Sequence, residues 1–281
     1  MMVSGEERWL SAYLFFNAPI FTITCDRVVL EFIVPFVARC RAAGWISSYF
    51  FVRYGENGAH VRLRLKGTPE VIWECVRPAL LDAVADADRE LVSAMCFDPY
   101  IPEYDRYGGE TGMPIAERAF CVSSDTAVML LSSMDRERRA TRLGQGAALL
   151  VALLHTVAGD RAHAASMAER YGKVYLRAVV PEDGTSGVLK AFSDAYDRQA
   201  ERLTRQLSEV WDALASGDEL PEPLETYTRG MRAARAFRSG PAVEAVTYSH
   251  AHMMNNRLGI SVPEESYVAY VVHRTLGHVD A

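Results

Sequence analysis

The chain has 281 residues, 49% of them apolar, and 36 acidic against 30 basic side chains give it a net charge of −6. That length and composition suit a folded globular protein with a large core and exclude a disordered or fibrous chain. The acidic balance argues against general electrostatic binding to nucleic acid or acidic membrane, and leaves room for a local basic cleft.

The cysteines, Cys25, Cys40, Cys75, Cys96 and Cys121, are odd in number, widely spaced and free of any CxxC pair. They fit reduced, buried thiols better than a disulfide framework or a metal site. The opening MMVSGEERWL has acidic residues where a secretory signal has a basic region. The best apolar run, Ala147 to Val157, is too short to span a bilayer and contains His155. A soluble, cytoplasmic protein without a membrane partner is expected.

In chain order, Trp9 to Phe16 is rich in aromatics and bounded by Asn17-Ala18-Pro19, which predicts a buried strand. Asp26 to Ala43 carries Val29, Phe32, Ile33, Phe36 and Val37 at helical spacing, with Thr24 as cap, Gly44 as stop and Pro35 as a kink or break. Ser47 to Lys66 divides at Gly55-Glu56-Asn57-Gly58 into two extended runs, the pattern of a β-hairpin. Thr68 to Ala85 follows as a helix with Thr68 as N-cap and Pro69 at its first position. Ser93 to Phe97 is a short strand, and Asp98 to Gly109 reads as loop throughout.

From Met113 the character becomes helical. Pro114 to Met134, Asp135 to Ala158 and Ala162 to Tyr171 read as helices, with Asp135-Arg136-Glu137-Arg138-Arg139 a solvated helix start. Gly184 to Gly187 reads as a flexible loop, Val188 to Ala215 as one long amphipathic helix, and Gly217 to Pro223 as a polar linker. Ala242 to Gly259 forms a helix ending in SHAHMMNNRLG, Val262-Pro263 a break, and Glu264 to Leu276 the final helix. The expected fold is α+β: a mainly antiparallel sheet from the N-terminal half packed against a helical C-terminal half, in a single domain over residues 1–281. An exposed apolar helix face in that layer is compatible with a homodimer.

The second strand of the hairpin carries candidate chemistry. Alternation puts Val61, Leu63 and Leu65 on one face and His60, Arg62, Arg64 and Lys66 on the other. That basic face is either the solvated side of a sheet or a place where guanidiniums capture a carboxylate or phosphate in bidentate geometry. Glu103 and Arg106, with Tyr100, Tyr104 and Tyr107, form either a second wall of such a site or an ordinary solvated turn. His250 and His252 stand two apart, the wrong spacing for metal ligands on one helix face, so no metal is expected. His252, Asn255, Asn256 and Arg257 on an otherwise buried C-terminal helix are polar groups that need partners.

Three of these segments together resemble one family. FVRYGENGAHVRLRLKG (Phe51 to Gly67), IPEYDRYGGETGM (Ile101 to Met113) and SHAHMMNNRLG (Ser249 to Gly259) are similar to the C-terminal domain of class I lanthipeptide dehydratases, found free-standing in thiopeptide pathways. The opening WLSAYLFF and the helix after it also fit, so the resemblance covers nearly the entire chain and includes no glutamylation domain.

The resemblance implies a lyase. A separate glutamyl-tRNA-dependent subunit would activate Ser or Thr of a precursor peptide as a glutamyl ester. This chain would then eliminate glutamate to leave dehydroalanine or dehydrobutyrine, with no cofactor and no direct nucleic-acid contact. Carried across residue by residue, the catalytic set is Arg62, Arg64, Glu103, Arg106 and His252, with His60, Lys66, Tyr107 and Asn256 beside the substrate and His250 in support. The residue types suit the reaction: β-elimination needs a Cα proton removed, an enolate oxygen stabilised and the departing carboxylate held. Arginines hold carboxylates in fixed geometry, and His252, its proton affinity lowered by nearby arginines, is the candidate for proton transfer, with Glu103 either orienting an arginine or acting as the base itself.

Two rivals follow. Free-standing relatives of the same family perform a formal aza-[4+2] cycloaddition of two dehydroalanines with loss of the leader peptide, a reaction with no glutamate to hold. A non-catalytic subunit that binds the leader by strand addition would need no convergence of titratable groups from three distant segments.

Overall fold

The computed structural model describes residues 6–135, 139–235 and 243–277. Strands β1 (Arg8–Phe15), β2 (Ser48–Tyr54), β3 (His60–Gly67) and β4 (Ala94–Phe97) pair antiparallel in the order β2-β3-β1-β4. Between β1 and β2 the chain forms α1 (Ile23–Arg27), a π-helical stretch (Val28–Ile33) and α2 (Val34–Ala42). Between β3 and β4 it forms α3 (Pro69–Val71), a second π-helical stretch (Ile72–Val76) and α4 (Arg77–Asp86). The result is a split β-α-β sheet. Its Leu10, Ala12, Leu14, Phe51, Val61, Leu63 and Leu65 join Val29, Ile33, Ile72, Val76 and Leu80 in the core.

Strand alternation leaves a second face. In register across it lie Tyr13, Arg62 and Val52, then Ser11, Arg64 and Phe50. The hairpin turn places Asn57 and Gly58 at positive φ, as a tight reversal requires.

Pro35, expected to kink or break its helix, does not break it: the chain stays helical from Val28 to Ala42. The π turn before it is the reason: Val34 N–H bonds back to the carbonyl of Val29, five residues earlier. The widened turn gives the proline ring room and absorbs its missing donor. The same device precedes Pro78, where Arg77 N–H reaches the carbonyl of Ile72. The first cap is Thr22, not Thr24.

The span expected as loop contains a helical turn, α5 (Tyr104–Tyr107), and α6 (Gly109–Ser133) begins five residues before Pro114. Gly108 and Gly109, both at positive φ, turn the chain between them. A Cβ at Gly112 would lie 1.9 Å from the Tyr107 carbonyl oxygen, so only glycine permits this crossing. Next come α7 (Arg139–Ala158) and α8 (Arg161–Val179), which runs eight residues past its expected end at Tyr171. Residues 136–138 of the charged start before α7 lie outside the described residues.

The single helix expected over Val188 to Ala215 is two, α9 (Thr185–Asp197) and α10 (Ala200–Ser216), because Gln199 leaves helical backbone geometry. The loop expected at Gly184 to Gly187 is the end of a 3-10 turn and the start of α9. A helix not foreseen, α11 (Glu222–Arg235), follows the linker. Finally α12 (Val243–Leu258) and α13 (Val262–Gly277) return the chain to the sheet, with Pro263 inside the first turn of α13 and not in a break before it. Among the described residues no single helix is long and apolar enough to cross a membrane.

Side chains from α6 and α12 close the outer edge of β2. Phe51 N–H donates to Ser124 Oγ (3.2 Å), and Arg53 N–H to Asn256 Oδ1 (2.9 Å). Asn256 Nδ2 in turn donates to the Arg53 carbonyl (3.0 Å), so its amide imitates a neighbouring strand. Below this joint, Asp26 accepts from Arg53 Nη2 (2.7 Å) and Arg142 Nη2 (2.6 Å), all three side chains being buried. The same guanidiniums cap the last carbonyls of α12: Arg53 Nη2 reaches Arg257 O (2.9 Å), and Arg142 Nη1 reaches Leu258 O (2.6 Å). Burial works against the Asp26 carboxylate, but the two arginines hold its pKa below the ordinary value. This clamp fixes α12 against the sheet.

Candidate active site

The clamp matters because α12 carries His252 over the basic face of β3. Arg62, Arg64, Glu103, Arg106 and His252 line one cleft of about 280 Å³, together with Phe50, Val52, Tyr54, Tyr100, Tyr107, Phe120 and Asn256. Five side chains named from three distant segments therefore come together.

Each arginine is held differently. Arg62 lies with its guanidinium 3.3 Å from the Tyr54 ring centre and 4.7 Å from that of Tyr13, and its Nε donates to His60 Nε2 (3.2 Å). His60 pairs its Nδ1 with the Gly58 carbonyl (2.8 Å), so Nδ1 carries the hydrogen and Nε2 the lone pair. Burial, with Arg62 and Arg64 nearby, lowers the His60 pKa and keeps it in that neutral form. His60 thus stands outside the cleft lining and positions Arg62.

Arg64 is only 6% exposed, and its Nε and Nη1 have no hydrogen-bond partner among the described residues. It sits over Tyr13 and Tyr100, and burial lowers its pKa. Neither Arg62 nor Arg64 has a carboxylate partner among the described residues, whereas Arg106 Nη1 pairs with Glu103 Oε2 at 2.7 Å on the half-exposed turn of α5. Two cations facing a cleft without counter-ions among the described residues, one of them with buried donors unused, make a receptor for an anion.

Lys66 also falls outside the cleft lining; it lies 3.9 Å from Glu117 and over the Trp9 ring. Tyr107 lines the cleft as a buried aromatic wall against Phe120 and His250. Asn256 lines it too, with its amide engaged by Arg53. His250 packs against Tyr107 and Phe120.

His252 has a partner that sequence reasoning missed. Its Nδ1 is 3.0 Å from both oxygens of Glu265, a carboxylate 1% exposed at the start of α13. A carboxylate only accepts, so Nδ1 carries the hydrogen and, in the neutral ring, Nε2 is left with a lone pair. The imidazole is stacked on Tyr175 of α8, ring centres 4.9 Å apart. The charged group in direct contact with His252 is therefore this carboxylate, not the arginine cluster expected to act on it. In the sequence Glu264-Glu265 reads only as an acidic helix start, and nothing in its spacing points to His252. Tyr13, by contrast, was readable: strand alternation puts it on the face of β1 opposite Arg62.

The family described as lantibiotic biosynthesis dehydratase C-term matches residues 9–276. The subtilin biosynthesis protein SpaB of Bacillus subtilis is 36% identical over 84 residues, which are 30% of this chain and 8% of SpaB. Among solved structures, the tRNA-dependent lantibiotic dehydratase MibB of Microbispora sp. 107891 matches with a TM-score of 0.68 and 22% identity, over 95% of this chain and 28% of MibB. The pyridine synthase TbtD, from thiomuracin biosynthesis, matches with a TM-score of 0.77 and 18% identity, over 97% of this chain and 98% of TbtD. TsrL matches with a TM-score of 0.72 and 15% identity, over 96% and 94% of the two chains. The chain thus spans a small part of SpaB and MibB and nearly all of TbtD and TsrL.

Proposed function

Because the chain belongs to the lantibiotic dehydratase C-terminal family, we propose that it is a peptide-modifying lyase. Its substrate is a precursor peptide whose Ser or Thr has been converted to a glutamyl ester by a separate glutamylating subunit. The reaction removes glutamate and leaves dehydroalanine or dehydrobutyrine.

The observation that carries this reading is the pair Arg62 and Arg64, cations without a carboxylate partner among the described residues, in one cleft with His252, which Glu265 holds from behind. His252 Nε2 takes the Cα proton, while Glu265 keeps the other ring hydrogen on Nδ1 and stabilises the imidazolium that forms. The Cα–H electrons become the Cα=Cβ bond, and the Cβ–O bond breaks. Glutamate leaves with a new carboxylate, which needs no proton because the arginines neutralise it as it develops. Arg106, held by Glu103 on the exposed turn, lines the same cleft and adds a third cation to it.

One observation favours a second reading within the family. Phe50, Tyr54, Tyr100, Tyr107 and Phe120 give the cleft an aromatic lining of the kind that flat, dehydrated peptide groups would use. That suits a pyridine-forming cycloaddition of two dehydroalanines, and the arginines turned into the same cleft weigh against it.

Mass spectrometry of a glutamylated Ser peptide incubated with the protein alone separates the two. The lyase reading expects free glutamate and dehydroalanine with the native chain, and an unchanged ester with His252→Ala or Arg62→Ala. An unchanged ester with the native chain, beside ring closure and leader loss from a peptide that already holds two dehydroalanines, would replace it with the cycloaddition.

A further inference from the structure

Behind His252 the hydrogen bonds continue away from the cleft. Tyr171 of α8 donates its hydroxyl hydrogen to Glu265 Oε2 (3.2 Å), and Asn255 Nδ2 donates to the Tyr171 oxygen (3.1 Å). Asn255 is on the same helix as His252, so the chain Asn255, Tyr171, Glu265, His252 leaves α12, crosses α8 and α13, and returns to α12. All but the exposed edge of His252 is buried.

Resting on the reading of His252 as the proton acceptor, we infer that Tyr171 and Asn255 are positioning residues that set the proton affinity of His252 through Glu265. Two donors compete for a single carboxylate. Glu265 Oε2 is shared between the Tyr171 hydroxyl and His252 Nδ1, so each donor weakens the pull of the carboxylate on the other. Asn255, by donating to the phenol oxygen, makes Tyr171 the stronger competitor. Complete burial, with Glu265 beside it, raises the Tyr171 pKa far above its ordinary value, so the hydroxyl stays protonated throughout the working range.

The other groups facing this pair are few. Tyr175 of α8 stacks on the imidazole, and Tyr248 of α12 packs on Tyr171 with ring centres 5.5 Å apart. From α5, Arg106 and Tyr107 act on Tyr175. None of these donates a hydrogen bond to Glu265.

The test is the titration of His252 in the full chain, followed by ring-nitrogen NMR of histidine-labelled protein and assigned with His252→Gln. Tyr171→Phe is expected to raise the His252 midpoint by about half a unit to one unit, since one hydrogen bond to a charged group is removed. Asn255→Leu is expected to raise it less. Tyr196→Phe, which removes a buried hydroxyl that bonds Thr204 and Thr275, is expected to leave it unmoved. Should Tyr171→Phe fail to fold, difluorotyrosine at position 171 keeps the shape, donates more strongly and is expected to lower the midpoint. An unmoved midpoint in a folded Tyr171 variant would overturn the inference. Elimination rates across pH are the second readout: with His252 as base, the acidic limb moves upward together with the midpoint. The titration needs no substrate, so a native chain that fails to eliminate glutamate would sink the lyase reading and leave this result standing.

Discussion

Replacing Arg64 with Met is expected to remove activity while leaving the fold intact or more stable. Arg64 buries a cation whose Nε and Nη1 donate to no protein group among the described residues. Leaving buried donors unmade costs about 1–3 kcal/mol. The Tyr13 and Tyr100 rings, 5.4 and 5.5 Å from the guanidinium carbon, offset roughly 0.5–1 kcal/mol each. Met preserves the buried stem, so the variant should lie between about 1 kcal/mol below native stability and about 2 kcal/mol above it.

Arg53 on the neighbouring strand is the contrast. It is 1% exposed and fully engaged, by Asp26, the Arg257 carbonyl and the Ile20 carbonyl. Arg53→Met should therefore cost about 3–5 kcal/mol, since it strands half of a buried ion-pair network. Urea denaturation of both variants reads the difference directly, and the elimination assay should show a loss of roughly 10²-fold or more for Arg64→Met. Destabilisation by Arg64→Met to the same degree as Arg53→Met would refute the claim that its donors are reserved for a ligand; so would retained activity.

Three further outcomes follow from the same geometry. Glu265→Gln should keep the fold and lower elimination by roughly 10²- to 10⁴-fold, because an amide neither fixes the Nδ1 hydrogen nor stabilises an imidazolium; unchanged turnover of the glutamylated peptide would contradict this. Asp26, with its pKa held below the unfolded value, contributes stability that is fully present above about pH 5 and lost as pH falls through its folded value. Urea midpoints of the native chain should accordingly drop on acidification, and Asp26→Asn should be less stable at neutral pH by about 3–5 kcal/mol and show a shallower acid dependence. Gly259→Ala should cost roughly 2–4 kcal/mol in a thermal or urea melt, since φ is +74° and the new Cβ would stand 2.6 Å from Arg142 Nη1 and 3.0 Å from Arg53 Cζ. It should also slow elimination by disturbing the seat of α12.

The sheet and its two faces were determined by the sequence alone. Period-two alternation from His60 to Lys66 is a local property of an extended chain, and it placed Arg62 and Arg64 on one face whatever that face met. The helical character after Met113 was legible for the same reason, since apolar spacing reports a face without reference to a partner. Helix ends were less legible. Pro35 is accommodated by a π turn, Gln199 interrupts what reads as one amphipathic helix, and α11 begins inside the polar, Pro-containing stretch that reads as a linker.

Only the tertiary structure decided what the polar groups meet. Glu265 reaches His252 because α12 and α13 fold back on each other across α8, and Asn256 caps β2 because the Asp26 clamp seats α12 there. Lys66 and His60 carry the same strand signal as Arg62, yet one faces Glu117 and the other is turned inward to hold its neighbour. Periodicity is written residue by residue along the chain. Proton affinity, counter-ion and access depend on groups brought from far away in sequence, and burial decides how strongly they act.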